Sequence, residues 1–109
     1  MYPSVCFKFR LYVTGNSPNS VLARMNLGAM CRMHLPGQYK IEVVDVLKDP
    51  NRALTDGIYM TPCLMKLAPS PVRMIVGTLS RSVSLLEGLG LAVPAGQPEI
   101  GTEVVEPAA

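Results

Sequence analysis

The sequence contains few of the residues that build catalytic or metal centres. Among its 109 residues are one histidine, His34, and three cysteines, Cys6, Cys31 and Cys63; no two cysteines are spaced C-x-x-C, and Cys31 with His34 forms a single C-x-x-H pair without a second pair beside it. An odd number of cysteines argues against a disulfide framework, and one isolated C-x-x-H pair supplies only two of the four ligands of a structural zinc site. We therefore expect three buried thiols, no metal and no cofactor.

Long apolar segments are also missing. Arg, Lys, Pro or Asn interrupts every apolar run before it reaches the ~18 residues that a membrane-spanning helix needs. The first residues, MYPSV, lack the basic and then apolar layout of a secretory signal. These absences predict a soluble, cytoplasmic protein with no membrane partner.

The sequence has no motif for binding phosphate or nucleic acid. Its glycines form neither a Walker motif nor G-x-G-x-x-G, and its basic residues do not cluster with aromatic ones. The net charge of +2 hides an asymmetry, because the C-terminal stretch carries three glutamates and no basic residue, whereas the rest has ten basic and five acidic side chains. This mildly basic body favours an acidic protein surface as partner, and no nucleic acid.

The composition is apolar for a small domain. Hydrophobic residues make up 49% and charged residues 17% of the chain, and the mean hydropathy is +0.27. Two interpretations stay open: a well-filled α/β core, or apolar surface that is covered by self-association as a dimer or tetramer.

The N-terminal half predicts a β-α-β unit. Apolar and polar residues alternate over Cys6 to Val13, which is typical of a strand with one buried face. Ser17 followed by Pro18 resembles an N-cap with proline at the first helical position, so a helix is expected from there to about Met33. A second strand follows over Tyr39 to Leu47, and the crossover makes the two strands parallel.

The C-terminal half gives weaker signals. Asp49-Pro50 repeats the cap-and-proline pattern and predicts a short helix that stops near Gly57. Two short apolar runs, at 63–67 and 72–76, predict a hairpin-like pair of strands, and a final helix is expected to start at Ser80 or Ser82 and to run through Leu89. Residues 93–109 are expected to form a disordered acidic tail after one domain at 1–92.

The order β, α, β, α, β, β, α predicts a thioredoxin-like α/β fold. A redox enzyme of this fold needs a cysteine at the N-terminus of the first helix, but the loop from Gly15 to Ser20 has none. Thr61-Pro62 matches the loop that often holds a cis proline in such proteins. Asp45 and Asp49 are interpreted as structural, at a strand end and a helix cap.

Several separated blocks resemble the KaiB family of the bacterial circadian clock. These blocks are LYVTGNSPNSV at 11–21, VDVLKDP at 44–50, Thr61-Pro62, PVR at 71–73 and IVG at 75–77. They follow in the family's order and spacing, and the resemblance covers Phe7 to Leu91.

The resemblance implies a non-catalytic protein that binds the N-terminal ATPase ring of KaiC and, in the full clock, also captures KaiA. It also implies a possible switch between a resting tetramer and a monomeric thioredoxin-like state. Proline isomerisation over tens to hundreds of seconds and helix-weakening glycines offer a route for such a switch. The candidate switch residues are Pro62, Pro69, Pro71, Gly88 and Gly90.

The chain departs from the family's pattern at several positions. The family usually has an aspartate where this chain has Gly90, and a small residue and a lysine where it has Lys40 and Glu42. The first helix is less charged than usual. These departures indicate a divergent paralogue that pairs with KaiC or a KaiC paralogue and lacks a KaiA role.

Three hypotheses follow for function. The first is a KaiB-like binding module whose contacts come from Lys40, Glu42, Lys48 and Arg73, each of which has solvated surface charge as its alternative role. The second is a thioredoxin-fold enzyme that uses Cys31 or Cys63, which would need a low thiol pKa. The third is a stress-related, holdase-like protein that uses apolar surface promiscuously.

Overall fold

A computed structural model describes residues 6–90 and 103–105 of the chain. The first strand, β1 (Phe7–Val13), is followed by helix α1 (Pro18–His34), strand β2 (Tyr39–Asp45) and the six-residue helix α2 (Pro50–Thr55). The C-terminal half contributes β3 (Cys63–Ala68), β4 (Arg73–Val76), α3 (Ser82–Gly88) and β5 (Glu103–Val105). The element order predicted from the sequence is confirmed through α3.

The strands form one sheet in the order β2-β1-β3-β4-β5. β1 and β2 are parallel, in a register that pairs Phe7 with Tyr39 and Val13 with Asp45. The remaining neighbours are antiparallel, so the predicted hairpin of β3 and β4 is also confirmed. β1 therefore lies inside the sheet, next to both β2 and β3.

Alternation along β1 divides the protein into two apolar layers. Phe7, Phe9, Leu11 and Val13 are buried in the larger cluster, on the first face of the sheet. α1 and α3 cover this face and contribute Ala23, Leu27, Met30, Cys31, Leu85 and Leu86, and Leu89 joins them just after α3. Each fully buried Leu or Phe of this layer stabilises the fold by roughly 1.5–3 kcal/mol relative to exposure.

The second face of the sheet has a smaller apolar cluster. Tyr12, Val44 and Ala53 pack there with Cys63, Met65 and Met74. α2 supplies only Ala53 to it, and a helix of six residues is only ~9 Å long. Lys8 and Lys40, on the same face but toward the start of β1 and β2, are exposed. α2 therefore covers only the half of the second face near the ends of these strands.

The helix starts differ from the expected caps. Ser17 precedes α1, but its hydroxyl donates to Ser20 Oγ at 2.8 Å and makes no cap bond to a helix amide. Asp49 also makes no side-chain cap bond; its own amide donates to the Asp45 carbonyl at 2.9 Å. Both residues thus close turns around the end of β1 and β2 instead of capping their helices.

The prolines and glycines proposed as switch residues lie in loops and at one helix end. The peptide bonds before Pro62, Pro69 and Pro71 are all cis, which confirms the expected cis proline after Thr61. Gly88 ends α3, and Gly90 follows it with a φ of +77°. The switch itself stays a prediction.

The C-terminal segment differs from the expected disorder at three residues, because Glu103–Val105 form β5 on the edge of the sheet. These three residues form a strand because they pair with β4. That partner is distant in sequence, so the local pattern does not reveal it. The remainder of the predicted tail, and the boundary at 92, lie outside the described residues.

Candidate partner-binding site

An open cleft of about 490 Å³ lies at the carboxyl ends of β1 and β2. Parallel strands end at the same edge of a sheet, so the loops that follow them come together. The residues that line the cleft come from these strand ends, the loop before α1, α1 itself and the start of α2: Val13, Gly15, Asn16, Arg24, Val43, Val44, Asp45, Lys48, Asp49 and Arg52.

Asp45 holds the two loops of the cleft together. Its Oδ1 accepts hydrogen bonds from the backbone amides of Gly15 and Leu47, both at 3.0 Å. These bonds, that of Gly15 first, lower the pKa of the Asp45 carboxyl. Gly15 has a φ of +49°, a left-handed conformation that suits glycine. The structural role predicted for Asp45 is confirmed.

Two cations of the cleft remain available to a partner. Arg24, on α1, and Lys48, after β2, line the cleft, and within residues 6–90 neither makes a side-chain hydrogen bond or ion pair. Leu47, beside Lys48, is 69% exposed. The carboxylates of Asp45 and Asp49 also line the cleft, and Lys48 acts on the Asp45 carboxyl after the two backbone amides. Arg24 and Lys48 are the exposed cations of this mixed-charge cleft, and together with the apolar Leu47 nearby they fit an acidic protein surface.

Glu42 is engaged within the molecule. Its carboxylate accepts a bond from Arg10 Nε at 2.9 Å and two bonds from Arg52, at 2.8 and 2.9 Å. Arg10 also donates to Asp56 Oδ2 at 2.8 Å, and the Tyr12 hydroxyl donates to the same oxygen. These five residues form a charge network that joins β1, β2 and α2.

The charge network fixes protonation states on the second face. The bonds from Arg52 and then Arg10 lower the pKa of Glu42 to about 2. Burial, followed by the hydrogen bond to Asp56, raises the pKa of Tyr12 to about 12. Glu42 is therefore ionised and Tyr12 is neutral at physiological pH.

The four predicted contact residues do not lie on one surface. Lys48 lines the cleft, while Lys40 is exposed on the second face of the sheet, at the far end of β2. Glu42 belongs to the charge network, and its ion pair with Arg52, a residue that lines the cleft, connects it to that site. Arg73 starts β4, on the first face, with β1 and β3 between it and β2.

Sequence reasoning missed Arg24 and Arg52 as cleft residues. Arg24 lies on α1, 24 residues before Lys48 in the numbering, and nothing in its local pattern marks it. The sequence does indicate that Arg52 lies near the cleft, because Arg52 follows Pro50 in the first turn of a predicted helix just after β2. In a β-α-β unit, such a position lies at the carboxyl end of the strands.

The region where redox enzymes of this fold carry their cysteine holds hydroxyl groups here. Thr14 and Thr61 hydrogen-bond to each other at 2.5 Å, between the loop before α1 and the cis Pro62. Cys31 and Cys63 are buried elsewhere. Burial raises the pKa of Cys31 to about 12 and that of Cys63 to about 11. Neither is the low-pKa thiol that the redox hypothesis requires.

The described part of the chain has neither a cluster of metal ligands nor a membrane-spanning helix. Within 6–90 and 103–105, no three His, Cys, Asp or Glu side chains come together in a group that could hold a metal ion. None of the helices in these ranges has the length and apolar character needed to cross a bilayer.

Comparison with known proteins adds evidence from sequence. The family model of the KaiB domain matches residues 10–91. The circadian clock oscillator protein KaiB of Synechococcus elongatus is 44% identical over 91 residues, which cover 84% of this chain and 89% of that protein. The circadian clock protein KaiB3 of Synechocystis is 42% identical over 87 residues, covering 80% and 84%.

Solved structures agree on the fold at low sequence identity. The N-terminal domain of Synechococcus elongatus SasA has a TM-score of 0.67 at 17% identity, covering 83% of this chain and 89% of that domain. Chloroplastic thioredoxin z has a TM-score of 0.62 at 13% identity, covering 83% and 97%. The fold is thioredoxin-like, as the element order predicted.

Proposed function

The chain belongs to the KaiB family, and on that premise we propose that it is a non-catalytic regulator that binds a KaiC-type ATPase and modulates its phosphorylation cycle. The family match carries this proposal, because it spans residues 10–91 and agrees with relatives named as clock proteins. The likeness of the fold to a domain of SasA is compatible with it. A cytoplasmic location and self-association are parts of the same proposal.

We propose that the cleft is the site that contacts the ATPase. Arg24 and Lys48 offer two positive charges, and Leu47 offers exposed apolar surface beside them. An acidic loop flanked by an apolar residue complements this arrangement. Lys40 and Arg73 lie apart from the cleft, so we assign neither to the centre of the interface.

The absence of catalysis is supported by the cysteines. The start of α1 has no thiol, and burial holds the pKa of Cys31 and Cys63 far above the physiological range. A thiol that remains protonated is a poor nucleophile. Both observations support the proposal that this thioredoxin-like scaffold serves binding and not catalysis.

The test is native mass spectrometry of the chain with KaiC-type rings from the same genome, in unphosphorylated and phosphomimetic forms. We expect the rings to take up several copies of the chain, with a preference for one form. Charge reversal by Arg24→Glu or Lys48→Glu should weaken loading at least tenfold. Lys8→Glu is the matched control, because Lys8 is exposed at the opposite end of β1 and should leave loading unchanged.

Two outcomes would count against the proposal in different ways. Loading that both cleft variants leave intact would place the interface elsewhere on the chain. No loading on any ring, together with suppression of client aggregation by the chain alone, would favour the holdase-like alternative, for which exposed side chains such as Leu54 and Tyr59 would supply the surface.

A further inference from the structure

The last strand of the sheet comes from outside the family domain. The KaiB family model ends at residue 91, whereas β5 consists of Glu103–Val105. It pairs antiparallel with β4 through Met74 with Val105, Ile75 with Val104, and Val76 with Glu103. A segment beyond the family domain therefore closes an edge that the domain alone would leave open.

The two ends of the sheet are protected in different ways. β2, at one end, carries the charged residues Lys40 and Glu42. β4 has the sequence RMIV, and both Met74 and Ile75 are buried. An apolar strand without a charge in its centre is a template for pairing with any extended segment, and proteins commonly cover such an edge. β5 provides that cover.

We propose that the β4 edge is a strand-docking site whose resident ligand is the chain's own segment at 103–105, and that an extended acidic segment of a partner protein binds there only by displacing it. Backbone pairing supplies the binding in this mode, and the side chains of the added strand supply the specificity. With three residue pairs, the resident strand is short enough to be exchanged.

Charge favours an acidic segment on this edge. Lys66 of β3 pairs in register with Arg73 of β4, so two cations lie side by side on the first face of the sheet, Arg73 on the docking strand and Lys66 on the strand beyond it. Lys66 is only 4% exposed, and burial together with the charge of Arg73 lowers its pKa. The resident segment belongs to a stretch with three glutamates and no basic residue, which is the complementary composition.

The first measurement is hydrogen exchange by mass spectrometry on the full chain. Ladder bonds alternate in direction along an antiparallel strand, so half of the β4 amides point toward β5. We expect all amides at 73–76 to be protected in the wild type. Exchange of the outward amides at the rate of an unstructured peptide would overturn the proposal without any variant.

The second measurement opens the edge in the full chain with Val104→Pro and Val105→Pro together. Since neighbouring amides alternate in direction, one of the two prolines removes an amide that points toward β4. Val104→Thr with Val105→Thr is the control, because threonine keeps both amides and is also β-branched. Protection of the β1 amides checks that each variant is folded.

A labelled peptide with the sequence of residues 101–107, GTEVVEP, then probes the site. We expect it to bind the proline variant at least tenfold more tightly than it binds the wild type or the threonine control. The same peptide with proline at both valines should not bind. Equal affinity for the folded proline variant and the wild type would refute displacement as the mode of entry.

Discussion

Removing the charge of Glu42 should destabilise the protein by about 1 kcal/mol. The Glu42 side chain is 48% exposed, so each of its ion pairs belongs in the ~0.2–1 kcal/mol range of solvent-exposed pairs. Glu42 pairs with two arginines, Arg10 and Arg52, and their contributions together give this magnitude. Urea denaturation of wild type and Glu42→Gln at pH 7 measures the difference directly.

The same pair of proteins should show a specific pH dependence. The folded pKa of Glu42 is about 2, below the ~4.3 of an unfolded glutamate. The stabilisation is therefore fully present above the unfolded pKa, and it declines as the pH falls from about 5 through about 2. Wild type and Glu42→Gln should converge in stability over that interval.

Lys40→Gln is the control for Glu42→Gln. Lys40 lies on the same strand and the same face, is exposed, and has no ion pair within residues 6–90, so its change should stay within ~0.5 kcal/mol. A double-mutant cycle with Arg52→Gln should show that the effects of the two substitutions on the free energy of unfolding are not additive. Equal stability of wild type and Glu42→Gln at pH 7, with no coupling, would refute a stabilising charge network.

Three further predictions concern other residues. Tyr12→Phe removes the donor to Asp56 at a fully buried ring and should cost about 1–2 kcal/mol in urea denaturation, whereas Tyr59→Phe at an exposed ring should cost nothing measurable. The folded pKa of Tyr12 is about 12, above the ~10 of an unfolded tyrosine. The contribution of its hydroxyl to the free energy of unfolding should therefore be intact below pH 10 and lost as the pH rises through 12. An unchanged denaturation midpoint across that range would contradict this. In the native protein a thiol reagent should modify the partly exposed Cys6 rapidly and Cys31 and Cys63 slowly, with all three reacting rapidly in urea; fast native labelling of either buried thiol would contradict its raised pKa. Gly15→Ala should destabilise by about 1 kcal/mol because of the positive φ, and Gly15→Asn should cost less because asparagine tolerates that conformation.

Patterns that depend on neighbouring residues allowed most of the fold to be predicted. The alternation in β1 separates Phe9 from Arg10 on opposite faces, as the period of two requires. The cap-and-proline pairs at Ser17 and Asp49 correctly marked the starts of α1 and α2, although neither side chain caps its helix. The position of a turn is thus easier to predict than the hydrogen bonds that form it.

The role of Glu42 depends on residues that are distant in sequence. Its partners are Arg10, 32 residues away, and Arg52, 10 residues away. The bond to Arg10 requires the register that pairs these two residues across β1 and β2, and the bonds to Arg52 require α2 to lie on the second face. From sequence alone, a glutamate on an exposed face of a strand is therefore predicted to contact a partner protein. In the folded chain, two arginines of the same molecule pair with its carboxylate.

The separation of Arg73 from the cleft and the presence of β5 have a related cause. Strand order places β4 two strands away from β1, and that order is fixed by tertiary packing. β5 has only three residues, too few to show periodicity, and it forms because the apolar edge of β4 is available to pair with it. Both features follow from the assembled sheet and have no local signature.

The incomplete cover that α2 gives the sheet has a consequence at high protein concentration. Lys8 and Lys40 are direct neighbours in the parallel register of β1 and β2, and both are exposed on the part of the sheet that α2 leaves bare. Two adjacent ammonium groups on a flat surface repel the same surface of another molecule, so this pair disfavours face-to-face stacking of two bare sheets. This repulsion acts over a Debye length of ~10 Å at 0.1 M salt, and therefore weakens as the salt concentration rises.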